Sequence, residues 1–320
     1  MLNKTNAPVV LDPDIRDFIR ITGEAYVTHG EGVEKTPVTA RQIAEKVRAP
    51  WVKGGPVMHK TTEHLIPTPH GDVRIRIYRP TADAHQPALI YLHGGGWVMF
   101  SLDTHDRIMR EYAHRAGMCV IGIDYTLSPE ARFPVALEQT IAVVQHVHAQ
   151  AEAFGLDAER FTIGGDSAGA NLSLSTAIAL RDFGTAKLLK GLVLNYGAFG
   201  IELAAEDVRR FGGPDYMLTA DEMSYFWSQY LRSADDRHNP LATPLNADLH
   251  DLPNVFLCIP ECDVLTGQSL QLEGRLVSAG VPTKAVIYSG ASHSFLEAVS
   301  VSPLASKAFE DTADWLKARL

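Results

Sequence analysis

Residues 73–77 alternate apolar and basic (Val73, Arg74, Ile75, Arg76, Ile77), the period-two pattern of a strand with one face in water. Beyond them the pattern changes. Short apolar runs at 88–92, 119–125, 160–164, 191–196, 254–260 and 283–288 read as strands buried on both faces. Helical spacing predicts helices over 104–116, 134–154, 167–182, 265–279 and 303–320, the second opening on Pro134, which a first helical turn tolerates. Strands alternating with helices predict an α/β fold with a mostly parallel, doubly wound sheet.

Two regions break this rhythm. Residues 1–55 carry helical patterns at 13–26 and 39–47 and no convincing strand, and residues 200–245 are helical and rich in aromatic side chains. The second region interrupts the core between the predicted strands at 191–196 and 254–260, near the sheet end where a site is expected. The expected organisation is an N-terminal helical cap segment (1–55), the first part of an α/β core (56–199), a helical cap insertion (200–245) and the rest of the core (246–320). The two cap pieces are expected to pack together as a lid.

The candidate chemistry starts at Gly165-Asp166-Ser167-Ala168-Gly169, where a predicted strand runs into a predicted helix. This is G-x-S-x-G, the nucleophile elbow: a sharp turn that lifts a serine oxygen out of the sheet and aims a helix N-terminus at any charge developing beside it. His93-Gly94-Gly95-Gly96-Trp97 directly follows another strand. Glycines there let backbone N–H groups approach a reacting carbonyl closely. Serine is a weak nucleophile alone, so a base and an orienting acid are required; in the fold that carries this elbow they follow it in the order Ser, Asp or Glu, His. Of the 13 histidines, His293 meets that demand, standing after the last predicted strand and before the last helix. Glu261 and Asp263 both stand at the strand end where the acid belongs.

These stretches, with Leu102–Arg110, 120–134 and 164–171, resemble the hormone-sensitive-lipase-like branch of the carboxylesterases over nearly the whole chain, and within it the cytoplasmic bacterial acetyl esterases. The resemblance implies an α/β-hydrolase fold with a helical cap, no metal and no organic cofactor. It selects Asp263 as the acid, through a D-x-L segment that matches Asp263-Val264-Leu265. It places the base in H-G-F or H-A-F, matched by His293-Ser294-Phe295 except at the middle residue. It draws the oxyanion donors from the loop His93, Gly94, Gly95 and Gly96, chiefly the last two, and from Ala168. A second departure is Leu265-Thr266-Gly267-Gln268, where the family commonly carries another acid. Trp97, Met99 and Phe100, bulky residues beside the oxyanion loop, are candidate walls of a small substrate pocket.

Composition removes other classes. A net charge of −9 and a pI of about 5.8 lack the footprint of a nucleic-acid binder. No apolar run is long enough for a membrane span, and Val9-Val10-Leu11 is too short for a secretory segment, so a cytoplasmic protein is expected. Three cysteines, Cys119, Cys258 and Cys262, make no disulfide framework and lack a second pair at zinc spacing. The expected activity is cleavage of a small-molecule ester with a short acyl chain, acetyl to about hexanoyl, through an acyl-enzyme. Amide, formamide or lactone hydrolysis on the same triad stays open, as does a binding protein that has lost its chemistry. Edge strands and the cap face are candidate surfaces for a homodimer.

Overall fold

The computed structural model describes residues 9–319. Residues 1–8 of the expected cap segment and Leu320 of the expected last helix lie outside the described residues. The strands are β1 (Lys60–Ile66), β2 (Val73–Arg79), β3 (Gln86–Leu92), β4 (Cys119–Asp124), β5 (Leu156–Asp166), β6 (Gly191–Asn195), β7 (Asn254–Cys262) and β8 (Thr283–Ser292). They form one sheet in the order β1-β2-β4-β3-β5-β6-β7-β8, parallel from β4 onwards, with β2 antiparallel to both of its neighbours.

The apolar runs read as strands because both sheet faces are covered. Along β3, Ala88, Ile90 and Leu92 enter one core while Leu89 and Tyr91 enter the other. The first core is closed by α4 (Val135–Ala149), α5 (Ala168–Asp182) and α8 (Thr266–Ser278), through side chains such as Val143, Leu172 and Leu272. The second is closed by α3 (Asp106–Ala116) and α9 (Pro303–Lys317), through Ile108, Tyr112, Phe309 and Leu316. β1 was not expected: it is a largely exposed edge strand, Lys-Thr-Thr-Glu-His-Leu-Ile, held by its backbone ladder to β2. Such a strand has no apolar alternation to betray it. The helix expected over 134–154 stops at Ala149, and the chain turns there into β5.

Two helices precede the sheet, α1 (Pro13–Gly30) and α2 (Pro37–Arg48), each starting with proline in its first turn. Asp12 accepts from the amides of Asp14 and Ile15, and Thr36 forms a reciprocal capping box with Thr39. Between β6 and β7 come α6 (Ala205–Phe211) and α7 (Ala220–Tyr230). The loop 125–134 anchors both groups of helices. Arg41 of α2 donates to the carbonyls of Val98 and Ser128, each at 2.7 Å, and forks onto Glu130 at 2.9 and 2.6 Å. Arg132 donates to the carbonyls of Ser228 and Leu231 at 2.7 Å, meeting the unpaired C-terminal end of α7 with a cation.

The chain steps from β3 out to β4 and then crosses back to β5, so the strand order reverses at β3. The crevice at the C-terminal ends of β3 and β5 is therefore a topological switch point, where open α/β sheets bind ligands. At that junction α5 sits unusually close to β3: a Cβ built on Gly169 would lie 2.0 Å from the carbonyl oxygen of Leu92. Gly169→Ala is expected to cost about 1–3 kcal/mol or more, since overpacking against backbone leaves nothing flexible to yield. Urea denaturation of wild type and variant measures it, and an unchanged midpoint would show that the helix can retreat from the strand.

Candidate active site

β5 ends at Asp166 and α5 begins at Ala168, leaving Ser167 alone in the turn. Its φ of 53° and ψ of −116° are conformations that side-chain-bearing residues avoid. Tertiary contacts hold it there: the Ser167 amide donates to Asn195 O at 2.9 Å, and Ser167 O accepts from Ala198 N at 3.3 Å. Both partners belong to β6 or the residues just after it, so the neighbouring strand sets the angle of the turn. Ser167 is only 7% exposed, and it lines a cavity.

Asp263 follows the last residue of β7 and His293 the last residue of β8. Parallel neighbours in register bring the two chain ends together, with His293 Nδ1 2.7 Å from Asp263 Oδ2. A carboxylate only accepts, so Nδ1 is the donor of this bond, and the neutral tautomer that makes it is the one with its lone pair on Nε2. The other carboxylate oxygen, Asp263 Oδ1, accepts from Leu265 N at 3.0 Å, fixing the carboxylate as well as the ring. Both side chains are buried. Glu261 faces elsewhere and accepts from Ser289 Oγ at 2.5 Å. His293, Ser294 and Ser167 all border the same cavity.

The loop after β3 forms the opposite wall. Gly95 and Gly96 border the cavity, and α7 presses on the second: a Cβ on Gly96 would fall 2.2 Å from the Phe226 ring, at a φ of +60°. Ala168, in the first turn of α5, is fully buried beside Ser167. Gly94 donates to Asp166 Oδ1 at 3.2 Å, and the His93 ring is turned inwards, stacked 4.5 Å from Tyr125 with Nδ1 donating to Gly94 O. Met99 and Phe100 line the cavity, but Trp97, expected beside them, does not. It is 1% exposed and stacks on Tyr230 at 4.1 Å with Trp227 beside it, because the loop's turn after Gly96 points it into the α7 core. Among the described residues no group of three or more His, Cys, Asp or Glu is placed to hold a metal, and the three cysteines are buried and free. None of the described helices is long and apolar enough to cross a membrane.

Residues 89–297 match a family described by the alpha/beta hydrolase fold. The chain is 38% identical over 288 residues to an acetyl esterase of Salmonella paratyphi B, covering 88% of this chain and 87% of that protein. Among solved structures it is similar to a hyperthermophilic esterase from Pyrobaculum calidifontis, with a TM-score of 0.90, 32% identity and coverage of 97% of this chain and 98% of that one. A thermostable esterase from Pseudomonas putida superposes with a TM-score of 0.88 at 26% identity, covering 99% of both chains. This chain belongs to the α/β-hydrolase family. It is an enzyme of the carboxylic ester hydrolase class within it.

Several residues of the hydrolase site had no local signal. His105 reads in sequence as one more helical histidine, yet it caps α3 from a fully buried position with Nε2 3.2 Å from Asp166 Oδ2. Tyr91 Oη also donates to Asp166, at 2.8 Å. Arg48 and Glu297, from opposite ends of the chain, meet at 2.5 Å beside the cavity. Gln268, at the end of the stretch Leu265-Thr266-Gly267-Gln268, accepts from the amides of Phe199 and Gly200 and donates to the carbonyls of Gly200 and Glu202. It thereby staples the start of the insertion. Only the Gly-Asp-Ser order itself hinted that Asp166 matters.

Burial pushes the Asp166 carboxyl upward, but the charge of His105 and the hydrogen bonds hold it below the usual range. Burial lowers His105, and Asp166 more than reverses this, so its pKa is raised. Burial, with His105 nearby, takes His93 down to about 4, leaving His105 as the protonated ring of the pair. The sign follows. A raised His105 stabilises the fold fully below about pH 6.5, its unfolded value, and a depressed Asp166 does so above about pH 3.9. His105→Gln should therefore destabilise most between these limits and less once pH rises past the folded pKa of His105. Urea midpoints of both proteins at about pH 5.5 and about pH 9 test this; an equal gap at the two values would show that the pair carries no charge.

Proposed function

We propose that this hydrolase cleaves esters of short acyl chains, acetyl to about hexanoyl, by the triad Ser167, His293 and Asp263 through an acyl-enzyme. The observation that carries the reading is the buried 2.7 Å contact of His293 with Asp263, bordering the cavity that the strained Ser167 also borders. His293 Nε2 takes the serine proton as Oγ bonds to the ester carbon. The amides of Gly95, Gly96 and Ala168 receive the oxyanion at the N-terminus of α5, with His93 and Gly94 holding the loop in place. As the carbonyl re-forms, the carbon–alkoxide bond breaks, and the alcohol departs with the proton from His293. Water then enters by the same route and releases the acid. Asp263 holds the imidazole in one tautomer and stabilises its cation without taking the proton.

Cavity size supports small substrates. Its volume is about 190 Å³, below the roughly 300–1,000 Å³ typical of sites for larger ligands. Met99, Phe100, Leu218 and Phe226 surround it. The first few methylenes of an acyl chain each gain about 0.8 kcal/mol on burial, and later ones meet these walls as overpacking. The name of the Salmonella relatives, acetyl esterase, points the same way. The two cap pieces act in this reading as a lid that sets the cavity's size.

Ser167→Ala should keep the fold and lower kcat by on the order of 10⁴–10⁶, measured with para-nitrophenyl acetate. Asp263→Asn should also be severe, because asparagine cannot stabilise the imidazolium, whereas Glu261→Gln should be mild. Equal losses at the two acids would sink the assignment. Across para-nitrophenyl esters below their micelle concentrations, kcat/KM should peak at about two to six carbons. A second cavity of about 430 Å³ shares Met99 and Tyr26 as its boundary with the first. Met99→Ala should join them and move the peak to longer chains; an unmoved peak would mean another residue forms the wall.

A further inference from the structure

Arg48 is the last residue of α2 and is 3% exposed, yet it lines the same cavity as Ser167 and His293. Its Nε lies 2.5 Å from Glu297 Oε2. Its guanidinium sits 4.9 Å from the centre of the Phe100 ring, a cavity wall. Nη2 has only the soft sulfur of Met217 at 4.0 Å, and Nη1 is buried with no hydrogen-bond partner among the described residues. Burying an unsatisfied donor is costly, so a guanidinium is rarely left with a free N–H unless water or a ligand completes it. The other ionisable side chain in the cavity wall, besides the triad histidine and Tyr26, is the acid Glu222.

Resting on the ester-hydrolase reading, we propose that Arg48 is a specificity residue whose under-bonded guanidinium donates an N–H to a second, uncharged acceptor oxygen on the substrate, such as a hydroxyl or ketone set apart from the scissile ester. The geometry favours a neutral acceptor over a carboxylate. Glu297 already neutralises the guanidinium, and Glu222 on the wall repels an anion. The packing of the planar guanidinium on Phe100 holds its N–H groups in set directions, which a flexible point charge would not do. The mechanism at Ser167 does not require this contact, so plain alkyl esters remain substrates, and the second oxygen adds a preference.

The test uses two matched ester pairs with the full-length enzyme. On the acyl side, para-nitrophenyl levulinate is compared with para-nitrophenyl pentanoate; on the alcohol side, ethylene glycol monoacetate is compared with propyl acetate. For one pair, wild type should show a preference in kcat/KM for the oxygen-bearing member that falls by about tenfold or more in Arg48→Met/Glu297→Gln, a double change that leaves no buried charge unpaired. The responding pair identifies the side of the ester that Arg48 reads. Arg48→Lys should restore the preference in part. Glu297→Gln alone, which leaves the guanidinium uncompensated, should raise kcat/KM for monomethyl succinate relative to methyl pentanoate. If both members of both pairs fall by the same factor, Arg48 is a structural residue and the proposal is overturned. A wild-type preference for the carboxylate ester over the neutral acceptors would also overturn it. Failure of wild type to turn over either plain ester would instead count against the esterase reading itself, a separate outcome.

Discussion

A carboxylate sealed from water must receive its hydrogen bonds and its counter-charge from the protein, and Asp166 imposes that demand at the centre of this molecule. It precedes Ser167, it accepts from Gly94 at the head of the glycine loop, and it takes its remaining partners from Tyr91 and His105. One side chain thus ties the end of β5, the end of β3 and the start of α3. The turn that strains Ser167 and the loop that faces it cannot move apart without leaving a buried charge unsatisfied, which is among the costliest defects a core can carry. The cost of the strained turn is offset by this network, not by the turn's own residues.

The same loop is gripped from its other side. Ser128 N donates to Trp97 O at 2.8 Å, Arg41 reaches Val98 O, and Trp97 is stacked into α7. Residues 125–134, whose resemblance to relatives carries no chemistry of its own, serve as the frame to which both helical segments are fastened through Arg41 and Arg132. The cavity walls therefore inherit their positions from backbone carbonyls of the core. Their apolar packing fills the space that those contacts define.

What was legible in the sequence divides along physical lines. Buried strands announce themselves as apolar runs, and a serine elbow or glycine loop needs particular small residues at adjacent positions, so β3 to β8, Ser167 and Gly94–Gly96 were readable locally. His293 was reachable by order along the chain, whereas choosing Asp263 over Glu261 needed the family resemblance. β1 was invisible because its stability lies in backbone ladder bonds that any polar residues can make. Trp97 was placed in the cavity wall because its neighbours belong there; a single φ of 61° turns it away. His105, Arg48 and Glu297 were missed for a common reason: each is meaningful only beside a partner remote in sequence, and polar residues on helices look like solvent-facing ones until tertiary structure buries them.

The pairing of Arg48 with Glu297 also bears on how the enzyme comes into being. The two residues stand 249 positions apart along the chain, and His293 lies 126 positions beyond Ser167. The contacts between β3 and β5, with the serine and the glycine loop, close over shorter separations. Loop-closure cost therefore places the meeting of Arg48 with Glu297 late in folding, after the strained elbow has its framework. The cavity wall that this pair shares is consequently among the last parts of the molecule to be completed.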